Sequence, residues 1–122
     1  QLTTDAESIG YKQKTARGED LLTGYSKIVR MGPGEIYAGG TTLAEREVPR
    51  IGIGVIIERA KEEDTEWSFY DTWQKFNENT DRVSSKKYLD VEGDYYYRVR
   101  CIQLVMIWEA VSQMEFTLRN HK

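Results

Sequence analysis

The chain has 122 residues, of which 39% are hydrophobic and 30% are charged, and its formal net charge is −3. These values are typical of one globular domain that buries a core without disulfides or metal ions. They argue against a nucleic-acid partner, and no apolar run reaches the ~20 residues that a membrane span requires.

The N-terminal region is polar and lacks periodicity. We therefore expect residues 1–20 to form a flexible lead-in and residues 21–119 to form the folded domain. Loosely alternating apolar residues from Leu21 to Met31 indicate a first strand, which Gly32-Pro33-Gly34 ends as a turn.

The next segments predict two strands separated by a short connection. Glu35 to Glu47 is the second strand, and Gly39-Gly40 within it indicates a bulge or the close approach of another backbone. Val48-Pro49-Arg50 is predicted as the connection, because proline cannot donate to a central ladder. Ile51 to Ala60 then alternates as the third strand.

Two further strands are predicted in the middle of the chain. Lys61 to Glu66 is a charged loop, and its spacing does not match a calcium-binding EF-hand, so we expect a solvated hairpin end and no metal. Glu66 to Phe76 is the fourth strand, Asn77 to Asp81 is a cluster of turn-forming residues, and Arg82 to Val91 is the fifth strand.

The clearest pattern in the chain runs from Leu89 to Gln103, with a turn at Glu92-Gly93-Asp94. Charged and apolar residues alternate there, which predicts a strand buried on one face. The apolar positions of this strand and its approach are Leu89, Val91, Tyr95, Tyr97, Val99 and Cys101. We interpret the lone Cys101 as a small buried hydrophobic residue and not as a reactive thiol.

The alternation shifts by one position after Cys101, which predicts a bulge near Cys101–Gln103. Two structures compete for the segment that follows. Leu104 to Leu118 has partial helical spacing, whereas a strand from about Glu109 to Leu118 continues the preceding pattern. We favour the strand, because no stop signal separates the two segments.

About seven strands with turns between most of them predict an all-β fold, an immunoglobulin-like or fibronectin-like antiparallel β-sandwich. The chain also resembles fibronectin type III domains over a short motif. The residues that carry this resemblance are Leu89, Gly93, Tyr95, Tyr97 and Val99. The resemblance implies that Tyr95 occupies the tyrosine-corner position, with its hydroxyl bonded to the preceding connection.

A second resemblance extends from about Ala16 to Leu118. The chain looks like a family of small, uncharacterised secreted proteins of Gram-positive gut and soil bacteria. The shared features are Ala16-Arg17-Gly18, Gly32, Gly34, Gly40-Thr41-Thr42, Ile51, Ile53, Val55, Ile57, Trp67, Trp73 and the segment from Gly93 to Arg100. The resemblance implies a secreted, extracellular β-sandwich without known catalysis and transfers no functional residues.

The sequence predicts no enzyme and no cofactor. The only histidine is His121, near the C-terminus, and no serine stands in a Gly-x-Ser-x-Gly elbow. Glu45 and Glu47 share a strand face, as paired carboxylates would, but Arg46 and Arg50 are their neighbours, and they are better interpreted as a solvated edge.

Two groups of residues are candidates for protein binding. Tyr96, Arg98 and Arg100 face away from the predicted core, and exposed Tyr and Arg are typical of interface hot spots. Met106 and Trp108 belong to an apolar run that would be an unusual patch at a hairpin end. The alternatives are a half-exposed tyrosine packed on arginine stems, and an apolar run buried between paired strands.

Three functions follow as hypotheses. The first is a secreted protein-binding module that acts on a host or cell-surface protein. The resemblance to small secreted bacterial proteins implies immunoglobulin as one such partner, bound as bacterial superantigens bind it. The second hypothesis is a carbohydrate-binding module that stacks sugars on Trp67, Tyr70 or Trp73. The third is a structural domain whose apolar patch forms a homodimer.

Overall fold

A computed structural model describes residues 7–16, 20–107 and 110–119, with side chains described for residues 22–106. All secondary structure in these ranges is β. The strands are β1 (Glu7–Ala16), β2 (Asp20–Gly32), β3 (Glu35–Ala60), β4 (Ser68–Asp90), β5 (Tyr96–Ile107) and β6 (Ala110–Arg119). The predicted all-β class is confirmed, and the helix considered for Leu104 to Leu118 is replaced by parts of β5 and β6.

The described strands form one antiparallel sheet in the order β1-β2-β3-β5-β6, with β4 paired to β3 as well. The 26-residue β3 and the 23-residue β4 form a long hairpin. Residues 35–44 of β3 lie between β2 and the second half of β4, whereas residues 50–60 lie between the first half of β4 and β5. This hairpin therefore belongs to both halves of the sheet.

The sheet bends in the middle of this hairpin, where the β3–β4 register shifts between Leu43 and Val48. The bend brings the two halves face to face. A Cβ atom on Gly40, in the first half, would lie 2.8 Å from Ile53 Cδ1 and from Cys101 Sγ, both in the second half. The core lies between the halves and consists of Leu22, Ile28, Ile36, Ala38, Val48, Ile51, Ile53, Val55, Ile57, Val83, Tyr97, Val99, Cys101 and Val105.

Strand β5 keeps its alternation along its whole described length. Its pairing with β3 continues from Tyr96 to Met106 without a register shift. The buried positions are Tyr97, Val99, Cys101, Gln103 and Val105. The predicted bulge at Cys101–Gln103 is therefore wrong: a polar residue, Gln103, takes a core position, and this made the pattern look shifted.

Two further predicted breaks lie inside continuous strands. The predicted connection Val48-Pro49-Arg50 is part of β3, and the predicted turn Asn77 to Asp81 is part of β4. The turn-forming residues lie at the bend of the hairpin instead, and one of them, Asn79, has a positive φ of 53°. In the predicted lead-in, β1 pairs with β2, a strand that the sequence pattern did not indicate.

The finer prediction, a seven-stranded immunoglobulin-like sandwich, is not confirmed, because the six described strands join in one bent sheet. The tyrosine that bonds back to the preceding connection is Tyr97, whose hydroxyl donates to the Glu92 carbonyl at 2.7 Å. Tyr95 instead packs beside Arg59, whose guanidinium lies 4.1 Å from its ring centroid. The motif thus identified the strand, but not the residue that makes the bond.

Candidate binding surfaces

The second half of the sheet carries an apolar groove on the face opposite the core. On β3, Gly52 and Gly54 alternate with the buried isoleucines and valine, so they face outward. Pairing places Phe76 of β4 and Leu104 of β5 on either side of Gly52. These two residues flank a recess.

This recess has a volume of about 240 Å³ and is lined by Arg50, Gly52, Phe76, Leu104, Val105 and Met106. We call it the Gly52 groove. The Phe76 ring lies over Gly52, where a Cβ atom would overlap it, and the Arg50 guanidinium lies 4.4 Å from the ring centroid. Met106 is 38% exposed at the edge of the groove. The groove can accept an apolar side chain beside a cationic rim.

Tyr96, Arg98 and Arg100 lie on the same outward row of β5 as Met106, and all three are half-buried. Arg98 is closely engaged within the chain. Its Nη2 lies 2.7 Å from Glu58 Oε1, and its guanidinium lies 4.7 Å from the Trp67 ring centroid. Arg98 and Glu58 side chains are each only 14% exposed, so their ion pair is a structural contact of the sheet. Trp108 lies outside the described residues.

The three residues predicted as a sugar-stacking platform contact different parts of the chain. Trp67 packs on Arg98. Tyr70 donates to the Asp90 carbonyl at 2.8 Å and meets Tyr97 edge-on, with ring centroids 5.7 Å apart. Trp73 is half-buried against the core, and its ring lies 4.9 Å from Lys87 Nζ. They are not brought together as one exposed surface.

A second recess, which the sequence reasoning missed, lies at the glycine pair of the first half of the sheet. It has a volume of about 530 Å³, and we call it the Gly39 cleft. Its lining residues are Tyr25, Ser26, Lys27, Tyr37, Gly39, Gly40, Thr41, Lys75, Ser84, Ser85 and Lys86. The glycine pair was the available signal, since it predicted a close backbone approach, but the pattern did not reveal which side chains surround it.

Two observations concern metal ligands and the thiol among the described side chains. No three His, Cys, Asp or Glu residues in that part of the chain are grouped so as to hold a metal ion. Burial raises the pKa of the Cys101 thiol from 9.0 to about 11, so Cys101 remains protonated at neutral pH. No helix in the described ranges is long and apolar enough to cross a membrane.

Comparison with known proteins assigns no family, because no protein-family model and no curated protein matches this sequence. The surfaces of this chain are therefore the basis for its proposed function.

Proposed function

We infer that this chain is a non-enzymatic protein-binding module and that the Gly52 groove is its contact surface. One observation supports this most directly: the outward face of the sheet, where polar residues are usual, has an apolar recess of about 240 Å³. A recess of this kind suits a hot-spot side chain of a protein partner, which would be desolvated on binding.

The edge of the groove has the chemistry of a protein interface. Met106 is 38% exposed and has a flexible, polarisable side chain that can adapt to a partner. Arg50 is exposed and is stacked on Phe76, so its guanidinium can bond a partner while its planar face is already ordered. Arginine and methionine are both enriched at protein interfaces.

The proposal also includes the class of partner that the chain binds and the location of the chain outside the cell. A secreted location and an immunoglobulin partner depend on the resemblance to small secreted bacterial proteins. An immunoglobulin-like sandwich, with the two halves of the bent sheet as its layers, is proposed with them. Its support is the bond from Tyr97 to the Glu92 carbonyl, which ties down the connection before β5 as a tyrosine corner does.

The proposal is tested by the binding of purified immunoglobulin to the immobilised chain. Met106→Glu places a charge at the groove, and we expect it to weaken binding at least about ten-fold by desolvating that charge. Phe69→Ser is the matched control, because Phe69 is 64% exposed and does not line the groove. Circular dichroism establishes that both variants remain folded.

Other outcomes separate the competing functions. Equal binding by Met106→Glu and the unaltered chain would place the contact surface elsewhere. Absence of immunoglobulin binding would remove that partner. Sedimentation that shows a dimer, converted to a monomer by Met106→Glu, would instead favour a second copy of this chain as the occupant of the groove.

A further inference from the structure

The Gly39 cleft is surrounded by polar and aromatic side chains. Most of them face away from the core, whereas Lys75 pairs with the core residue Ile53 and reaches the cleft from the second half of the sheet. Strand pairing places Lys27 and Lys86 on either side of Gly39, and Tyr25 and Ser84 on either side of Thr41 in the next row. Because Gly39 has no side chain, the β4 backbone at Ser85 and Lys86 approaches it closely at the centre of this arrangement. A volume of about 530 Å³ lies within the usual range of small-ligand pockets.

The cleft is cationic although the whole chain is acidic. Lys27, Lys75 and Lys86 line it, and none of the described residues that line it is Asp or Glu. Neither Lys75 nor Lys86 is held in an ion pair with a described carboxylate, and both are exposed. An anionic group that enters the cleft would therefore meet ammonium groups without first displacing a bonded carboxylate.

The remaining lining combines hydroxyl groups with aromatic rings. Thr41 Oγ1 and Ser84 Oγ lie 2.7 Å apart, so the two hydroxyls are already oriented by each other. Tyr37 is held edge-on by Tyr88, with ring centroids 5.2 Å apart. Together with Tyr25, which is 37% exposed, they offer ring faces and hydrogen-bonding groups within one recess.

The backbone makes the cleft rigid. Gly39 is buried, and a Cβ atom there would overlap the Ser85 carbonyl oxygen and lie 2.8 Å from Lys86 Cα. The close approach of β3 and β4 therefore fixes the floor of the cleft and the spacing of the side chains on either side. Such a preformed site loses less conformational freedom when it binds a ligand.

We propose that the Gly39 cleft binds an acidic saccharide. Its carboxylate or sulfate interacts with Lys75 and Lys86, its hydroxyls bond to Thr41 and Ser84, and its ring packs on the tyrosines. The hydroxyl-rich lining distinguishes this ligand from a bare inorganic anion, which would use only the lysines. This site is separate from the Gly52 groove, so a negative result for one proposal does not contradict the other.

The test is isothermal titration of the intact chain at low ionic strength with glucuronate and sulfated disaccharides, with the neutral disaccharide and inorganic sulfate as comparisons. We expect the acidic saccharides to bind more tightly than either comparison. Lys75→Gln combined with Lys86→Gln should weaken their binding at least about five-fold, since two charge contacts are lost. Lys87→Gln is the matched control, because Lys87 is the neighbouring lysine and lies on Trp73.

Three results would overturn the proposal. They are no binding of any acidic saccharide, equal binding by the double variant, and equal affinity for inorganic sulfate, which would reduce the cleft to a simple anion site. Thr41→Val gives a second measurement that keeps all charges, and it should weaken saccharide binding while leaving sulfate binding unchanged.

Discussion

Gln103 is the most unusual residue in the core. Its side chain is fully buried, and neither Oε1 nor Nε2 has a hydrogen-bond partner among the residues that the structure describes. Pairing places it between Ile53 of β3 and Met114 of β6. Burying an amide without a partner costs about 1–3 kcal/mol, so this position reduces the stability of the fold.

We therefore predict that Gln103→Met stabilises the chain by about 1–2 kcal/mol, because methionine has a similar length and requires no hydrogen bond. Urea denaturation followed by circular dichroism measures the change. Gln74→Met is the control, since Gln74 is exposed on β4 and its replacement should have almost no effect. Destabilisation by Gln103→Met would contradict the prediction and indicate that an internal water bonds the amide.

Cys101 makes the free energy of unfolding decrease at alkaline pH. Burial raises the pKa of its thiol from 9.0 to about 11, so the folded chain keeps a proton that the unfolded chain loses. Stability from this residue is complete below pH 9 and falls as the pH rises towards 11, by roughly 2–3 kcal/mol in total. Burial also raises the pKa of Tyr97, which therefore adds a decrease above pH 10 in any variant. Cys101→Ala should show a smaller total decrease than the unaltered chain when the free energy of unfolding is measured across the range. A parallel decrease in both chains would show that other groups cause it.

At the scale of the elements, sequence patterns located the strands better than their ends. The alternation from Leu89 to Gln103 predicted the buried face of β5 up to Cys101, and the turn at Gly32-Pro33-Gly34 was also predicted correctly. The bend in the β3–β4 hairpin was not predictable in the same way. Pro49 and Asn79 have the chemistry of turns, but a bent strand uses the same residues, and only tertiary pairing distinguishes the two cases.

The candidate sites were even harder to predict from the sequence, because each is formed by side chains from three strands. Met106 was identified from an apolar run, but the recess beside it forms only when β4 and β5 lie on either side of Gly52. The lysines of the Gly39 cleft are far apart in the sequence, so charge patterning along the chain does not reveal that they line one recess.

The glycines of β3 yield a prediction at this scale. Gly39→Ala should destabilise the chain by about 3 kcal/mol, because its Cβ would overlap the Ser85 carbonyl, a backbone atom of β4 that no side-chain rotation can move. Gly54→Ala is the matched control. Its Cβ would meet only Ile102 Cβ, at 3.8 Å, so we expect a change within about 0.5 kcal/mol. Thermal unfolding measures both, and similar losses would show that β3 and β4 are not in close contact at Gly39.

At the scale of the molecule, the long hairpin determines how the two halves of the sheet depend on each other. Strands β3 and β4 supply paired backbone to both halves, and the core lies between them. Neither half can lose its strands without exposing the core surface of the other. The two candidate sites lie on opposite halves, each where β3 has glycine, so both recesses are supported by the same hairpin.

We therefore predict that the chain unfolds in one cooperative transition. Ile36→Ala in the first half and Ile57→Ala in the second should each cost about 2–4 kcal/mol, because both side chains are at most 1% exposed. In a Trp108→Phe background, tryptophan fluorescence reports on the second half through Trp67 and Trp73, whereas circular dichroism reports on all strands. Both signals should shift together in both variants. If Ile36→Ala shifted only the circular dichroism signal, the halves would unfold separately, and the hairpin would not couple them.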